Sequence, residues 1–242
     1  MRLINRNFLV AGVIACAALT LSSVTHAQMP PVNAPAVDPV DNLLKTPEMR
    51  VELTTQYEKN PQSFTGSKLL ATAISYASQK KLPESRDTFL KYLEKNTDNP
   101  RAYRGLGNVY LMMGSTSEAI GYYKLGWKLK DADSLAALSV ALLSTQRLDE
   151  LDAIQSDMLA NKTKNIEVVN VLMANAIENK NDKDLFNQAI AGITGDQILS
   201  REDTSLFMLK GFYKFNMAKE AKQLEAKCQA KGYDITKAQS KQ

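Results

Sequence analysis

Between Pro100 and Asp133 the sequence alternates large and small side chains in a way that only a helical hairpin uses well. Tyr103, Tyr110 and Tyr123 are knobs, and Gly107, Ala119 and Gly126 are holes that let antiparallel helices approach closely. Stepping by 34 residues finds the pattern again. The eighth position of each step reads Ala73, Gly107, Ala141, Asn175, Leu209; the eleventh reads Tyr76, Tyr110, Ser144, Glu178, Phe212; the twentieth reads Ser85, Ala119, Ala153, Asn187, Ala221. A chain with such a period folds as stacked units, each burying its apolar face only against its neighbours. Units starting at 66, 100 and 134 keep the pattern well, and Gly211 to Ala221 reads as the hairpin junction of a unit starting at 202. The unit at 168 places Asn175, Glu178 and Asn187 where small or apolar residues belong, which predicts a shift of packing or register there.

Tyr103, Leu106, Gly107, Tyr110, Gly114, Ala119 and Tyr123 stand at the offsets that mark a tetratricopeptide (TPR) repeat, and over residues 66–235 the chain resembles that family. The resemblance implies an all-α, TPR-type α-solenoid, a right-handed superhelix of about five helix-turn-helix units near 66, 100, 134, 168 and 202. The patterning predicts helix pairs at 63–79 and 83–96, 101–113 and 116–130, 133–146 and 149–161, 166–179 and 183–193, and 203–215 and 217–231. Ahead of them Thr46-Pro47-Glu48 reads as an N-cap, a first-turn proline and an early acid. The helix it opens, within 46–65, is expected to cover the exposed side of the first repeat.

The N-terminus reads as an export signal. Arg2 and Arg6 precede an apolar run from Phe8 to Leu21, and Thr25-His26-Ala27 offers a small-residue cleavage site. Residues 1–27 are therefore expected to be removed, leaving Gln28 first. Val13-Ile14-Ala15-Cys16 resembles a lipobox, but apolar residues continue past Cys16, so acylation there is the weaker reading. Pro30, Pro31, Pro35 and Pro39 make 28–45 an extended, flexible linker, and residues 236–242 read as a ragged basic tail.

Removing the signal also removes His26 and Cys16. The remaining chain has no histidine and one thiol, Cys228, which excludes a histidine-dependent triad, a histidine-ligated metal and an internal disulfide. Cys228 falls where small residues pack and reads as a buried, inert thiol. No cofactor or metal is implied. Gly105-Leu106-Gly107 lacks the preceding strand and third glycine of a dinucleotide loop. Asp149, Glu150 and Asp152 open a helix, where acids suit the positive end of its dipole, and Trp127 reads as a packing residue. Asn161-Lys162-Thr163 is a glycosylation sequon only in a eukaryotic host. The charge excess of the exported form is small, so it names no partner class; eight lysines against Glu220, Glu225 and Asp234 between Leu209 and Gln242 make that end locally basic. Nucleic acid is not expected as a partner.

What remains is the concave groove that the TPR resemblance implies, lined by the first helix of each pair. Carried over by position, it holds Arg101, Arg104, Asn108, Leu111 and Met112 in the second unit and Leu135, Leu138, Leu142, Thr145 and Gln146 in the third. Arg104 with Asn108 partly resembles the clamp by which some TPR domains hold a terminal carboxylate; Ser139 and Val169 depart from it. The expected function is a non-catalytic, exported scaffold that binds a protein or peptide in that groove, periplasmic or outer-membrane associated, without a membrane span once the signal is removed. Its layout looks like the TPR components of bacterial surface assemblies, the Tad (Flp) pilus among them. An enzyme or enzyme subunit acting at the cell wall, and a structural homo-oligomer whose groove receives a neighbour's helix, remain the alternatives.

Overall fold

The structure, a computed structural model, describes residues 38–239; the signal, Cys16, His26 and most of the proline-rich stretch lie outside them. The described residues are helical with no strand. They divide into two compact units, one ending at Leu138 and one beginning at Ser139.

In the first unit α1 (Pro39–Leu43) and α2 (Pro47–Lys59) precede the helix pairs α3 (Gly66–Ser78) with α4 (Leu82–Leu93) and α5 (Pro100–Met112) with α6 (Thr116–Lys128). The helix α7 (Ala132–Ser144) contains the division between the units. Local chemistry fixes the starts. Thr46 accepts from the Met49 N–H with Pro47 at the first helical position, and Asn99 accepts from the Ala102 N–H with Pro100 behind it. The helix α2 lies against α3, where Tyr76 donates to Glu58 at 3.3 Å and Gln79 donates to Thr54 Oγ1 and the Arg50 carbonyl. The core runs through Leu69, Leu70, Ala73, Phe89, Leu106 and Val109, all buried. Close approach is bought by small residues: a Cβ on Gly105 would lie 2.5 Å from the Phe89 ring, and one on Gly107 would lie 2.5 Å from the Tyr123 ring.

The second unit carries α8 (Leu148–Ala153), α9 (Gln155–Asn161), α10 (Ile166–Ala174), α11 (Lys183–Ile190), α12 (Gly195–Leu199), α13 (Glu202–Lys214), α14 (Ala218–Ala230) and the single turn α15 (Thr236–Gln239). One helix expected over 149–161 is broken at Ile154, whose N–H bonds to Leu151 O three residues back. The helix α10 runs on into a π-helical segment, Asn175–Lys180. Phe186 on α11 fills the space that Gly211 on α13 leaves open, with Phe212 packed edge-on at 5.7 Å. Over its described residues, 236–239, the expected basic tail is a docked helical turn. Ala238 is buried, and Lys237 pairs with Glu202 at 3.1 Å.

The hairpin turns reveal how the repeat is kept. Lys80, Gly114, Gln146, Asn181 and Asn216 all have positive φ, and each lies between the two helices of a pair. In four of them the next residue's N–H returns to the carbonyl at position 11 of the first helix: Lys81 to Tyr76, Ser115 to Tyr110, Arg147 to Leu142 and Met217 to Phe212. This is the six-to-one bond of a Schellman cap. In the fourth pair Asp182 reaches one residue further, to Ala176, and the π-helical segment absorbs the extra residue. The register shift expected near 168 is therefore real, and it starts earlier. First helices begin at Gly66, Pro100, Ala132, Ile166 and Glu202, so the third starts two residues before position 134.

A lysine in the left-handed region is strained where a glycine is not. Lys80→Gly is expected to stabilise the first hairpin by about 1 kcal/mol, and Gly114→Lys to destabilise the second by a similar amount. Thermal melts of the two variants check this; shifts of the same sign would mean that these turns do not share one backbone conformation.

Candidate functional site

The helix α5 brings Arg101, Arg104, Asn108 and Met112 onto one face, since offsets of three, seven and eleven residues fall near whole turns of a helix. Both arginines already have carboxylates. Arg101 reaches Asp38 at 3.0 Å and Asp41 at 2.6 Å. Arg104 places Nη1 3.0 Å from Asp133 and Nε 3.2 Å from Asp131 Oδ2; that Nε is buried and makes no hydrogen bond. Asp131 Oδ2 is engaged elsewhere, accepting from the Ser134 N–H at 2.8 Å and from Ser134 Oγ at 2.6 Å at the start of α7. Asn108 accepts from Tyr123 at 2.8 Å, and burial pushes the Tyr123 phenol up. Met112 is exposed. Arg104 and Asn108 are thus tied into the packing of their own hairpin and of the helix that follows, rather than set out as an empty clamp.

The third-unit residues do not join this face. Leu135, Leu138 and Leu142 are 0%, 1% and 0% exposed. The two-residue shift is the reason: counted from Ala132 they take positions 4, 7 and 11, where the second repeat has Tyr103, Leu106 and Tyr110. Ser139 falls at position 8, as Gly107 does, and is buried. Thr145 returns its hydroxyl to Ala141 O at 2.7 Å, and Gln146 is the positive-φ residue of the turn, donating to Leu143 O. Val169 is also buried.

What covers the first repeats instead is the chain's own N-terminal segment. The expected linker is helical at Pro39–Leu43, and this short α1 packs on α3. Val40 and Leu44 are 3% and 4% exposed and belong to the same core as Leu69 and Leu70. Asp38 caps α1 by accepting from the Val40 N–H at 2.8 Å through Oδ1, while its Oδ2 meets Arg101. Arg50 closes the other end, donating to Leu44 O through Nε at 2.9 Å and Nη2 at 2.8 Å. Fully burying each apolar side chain is worth about 1.5–3 kcal/mol, whereas the exposed ion pairs add about 0–1 kcal/mol. Asp38-Pro39 has the same cap-and-proline signature as Thr46-Pro47, and could have been read from the sequence in the same way.

Elsewhere the chemistry is structural. Glu150 pairs with Arg147, and Asp152 with Lys180 at 2.9 Å. Trp127 is half-buried with the Lys130 ammonium 5.1 Å from its ring centre. Burial pushes the Cys228 thiol up, with the Ser205 hydroxyl opposing, so little reactive thiolate is present at neutral pH. Among the described residues no helix is long and apolar enough to cross a membrane.

No protein-family model matches the sequence, and no curated protein does. Solved structures do. YrrB, described as a TPR protein with an unusual peptide-binding site, aligns at a TM-score of 0.53 and 17% identity over 77% of this chain and 95% of its own. A chain of the APC/C hetero-tetramer Cut9-Hcn1 aligns at a TM-score of 0.53 and 15% identity over 74% of this chain, which spans 35% of that chain's length. At these identities the likeness establishes the fold, a TPR-type α-solenoid.

Proposed function

We propose that this protein is a non-catalytic, exported scaffold that holds a short segment of another protein on the face formed by α3 and α5, in the assembly of a bacterial surface structure such as a pilus. The observation that carries the reading is that this face takes up a peptide segment, Asp38–Leu44, by burying Val40 and Leu44 and pairing Arg101 with two carboxylates. TPR-type folds are surfaces for such segments, and YrrB is described as peptide-binding. The surface-assembly role rests on the signal-like N-terminus and on the repeat layout.

A photo-crosslinking residue at Met112, on the same face of α5, tests it in the bacterium that makes the protein. The expected result is a crosslinked partner recovered from the periplasmic fraction, on a chain whose first residue is Gln28. Crosslinks that form from an outward residue such as Lys222 and not from Met112 would move the site to the basic end. An acylated Cys16 would overturn soluble export.

A further inference from the structure

We propose that Asp38–Leu44 is a self-ligand, occupying within the chain the surface on α3 and α5 that a partner's acidic, apolar helical segment takes in its place. This rests on the segment-binding reading above and names its ligand chemistry. The template is explicit in the contacts. An acid sits at the helix start (Asp38), an apolar residue two further on (Val40), a second acid three further on (Asp41) and an apolar residue six further on (Leu44). The two acids meet one guanidinium, and the two apolar side chains enter the core beside Leu69 and Leu70. The Asp38 carboxylate both caps its helix and meets Arg101, so any segment starting a helix with an acid at its cap presents the same pair of functions.

The occupant is built to leave. A helix of five residues is far below the length that is stable alone, so α1 exists only while docked. Its ion pairs to Arg101 are partly exposed and weak, and beyond the two buried side chains it is held by the partly buried Leu43 and by the Arg50 bond to Leu44 O. By contrast α2, directly after it, is a thirteen-residue helix packed along α3 and bonded through Glu58, Thr54 and Arg50. Release of α1 therefore uncovers the face without unseating the helix that protects the first repeat.

The test uses the full chain and a fluorescein-labelled synthetic peptide with the sequence of residues 36–45. With Val40→Ser and Leu44→Ser the internal segment loses its anchors, and the peptide should bind this variant about tenfold more tightly than the parent, because occupied sites tax apparent affinity by their occupancy. Adding Arg101→Glu should weaken that binding about tenfold, and a peptide carrying Asp38→Arg and Asp41→Arg should recover part of it. A variant that keeps the parent's helicity yet binds the peptide no better than the parent does would make α1 a fixed structural cap and overturn the proposal. Hydrogen exchange of the unmodified chain gives an independent reading. The amides of Asn42 to Leu44 should exchange about a hundredfold faster than those in the middle of α3, and equal protection would overturn the proposal as well. Met112 crosslinks that persist alongside either negative result would leave the segment-binding function standing with the self-ligand gone; loss of both would remove the function too.

Discussion

Leu138→Asp is expected to remove the cooperative thermal transition of the chain, not merely its binding. The side chain is 1% exposed and stands at position 7 of its repeat, as Leu106 does in the repeat before. An ionised carboxylate buried there without a partner costs several kcal/mol; it either takes a proton, its pKa rising, or unfolds its surroundings. Against a total stability of about 5–15 kcal/mol that is a large fraction. Circular dichroism should show reduced helicity and a broad, early melt, while Ser156→Asp, an exposed position on α9, should melt like the parent. A Leu138→Asp chain that stays fully helical would return this residue to an open groove, where its sequence position alone first put it.

The second large effect is expected at Gly107. A Cβ there would lie 2.5 Å from Tyr123 Cε1, 2.7 Å from Cδ1 and 3.2 Å from the Ala119 carbonyl oxygen. The tyrosine has nowhere to go. It is fully buried, and its hydroxyl is held by Asn108 at 2.8 Å. Overpacking costs about 1–3 kcal/mol and sometimes more, so Gly107→Leu should sit at or above the top of that range and Gly107→Ala near its lower end. Combining Gly107→Ala with Tyr123→Leu should recover part of the loss, because the clash is with the ring edge. Thermal melts of the series decide it: an unchanged melt for Gly107→Leu would mean that α5 and α6 do not meet at this residue.

The sequence made the period, the class of fold and several helix starts legible, because these are written in local chemistry. Thr46-Pro47 is a cap followed by a residue with preset φ, and Gly107 is a hole that a hairpin needs. The face of α7 was not legible. Its sequence, ADSLAALSVALLS, is apolar nearly all round, so a register two residues off still yields a plausible helix. Connector length is cheap to vary, and nothing in the residues between α6 and α7 marks the shortening. The candidate site divides in the same way. Arg101 was legible as a residue of the first-helix face, but its partners Asp38 and Asp41 were hidden in a stretch that prolines made look like linker. Arg104 and Asn108 were legible by position only; that Asp131, Asp133 and Tyr123 engage them is a matter of tertiary approach.

The positive-φ residues carry a lesson for anyone who would lengthen or shorten this array. Successive ones, Lys80, Gly114, Gln146, Asn181 and Asn216, are separated by 34, 32, 35 and 35 residues, so the two-residue deficit is repaid in single steps and the last hairpin returns to phase with the first. Modules cut with a ruler of fixed length would join helices a half-turn out of face in the middle of the chain. Modules cut from one left-handed turn to the next carry their own phase with them, the one from Gln146 to Asn181 bringing its π-helical segment along, and can be spliced as interchangeable parts.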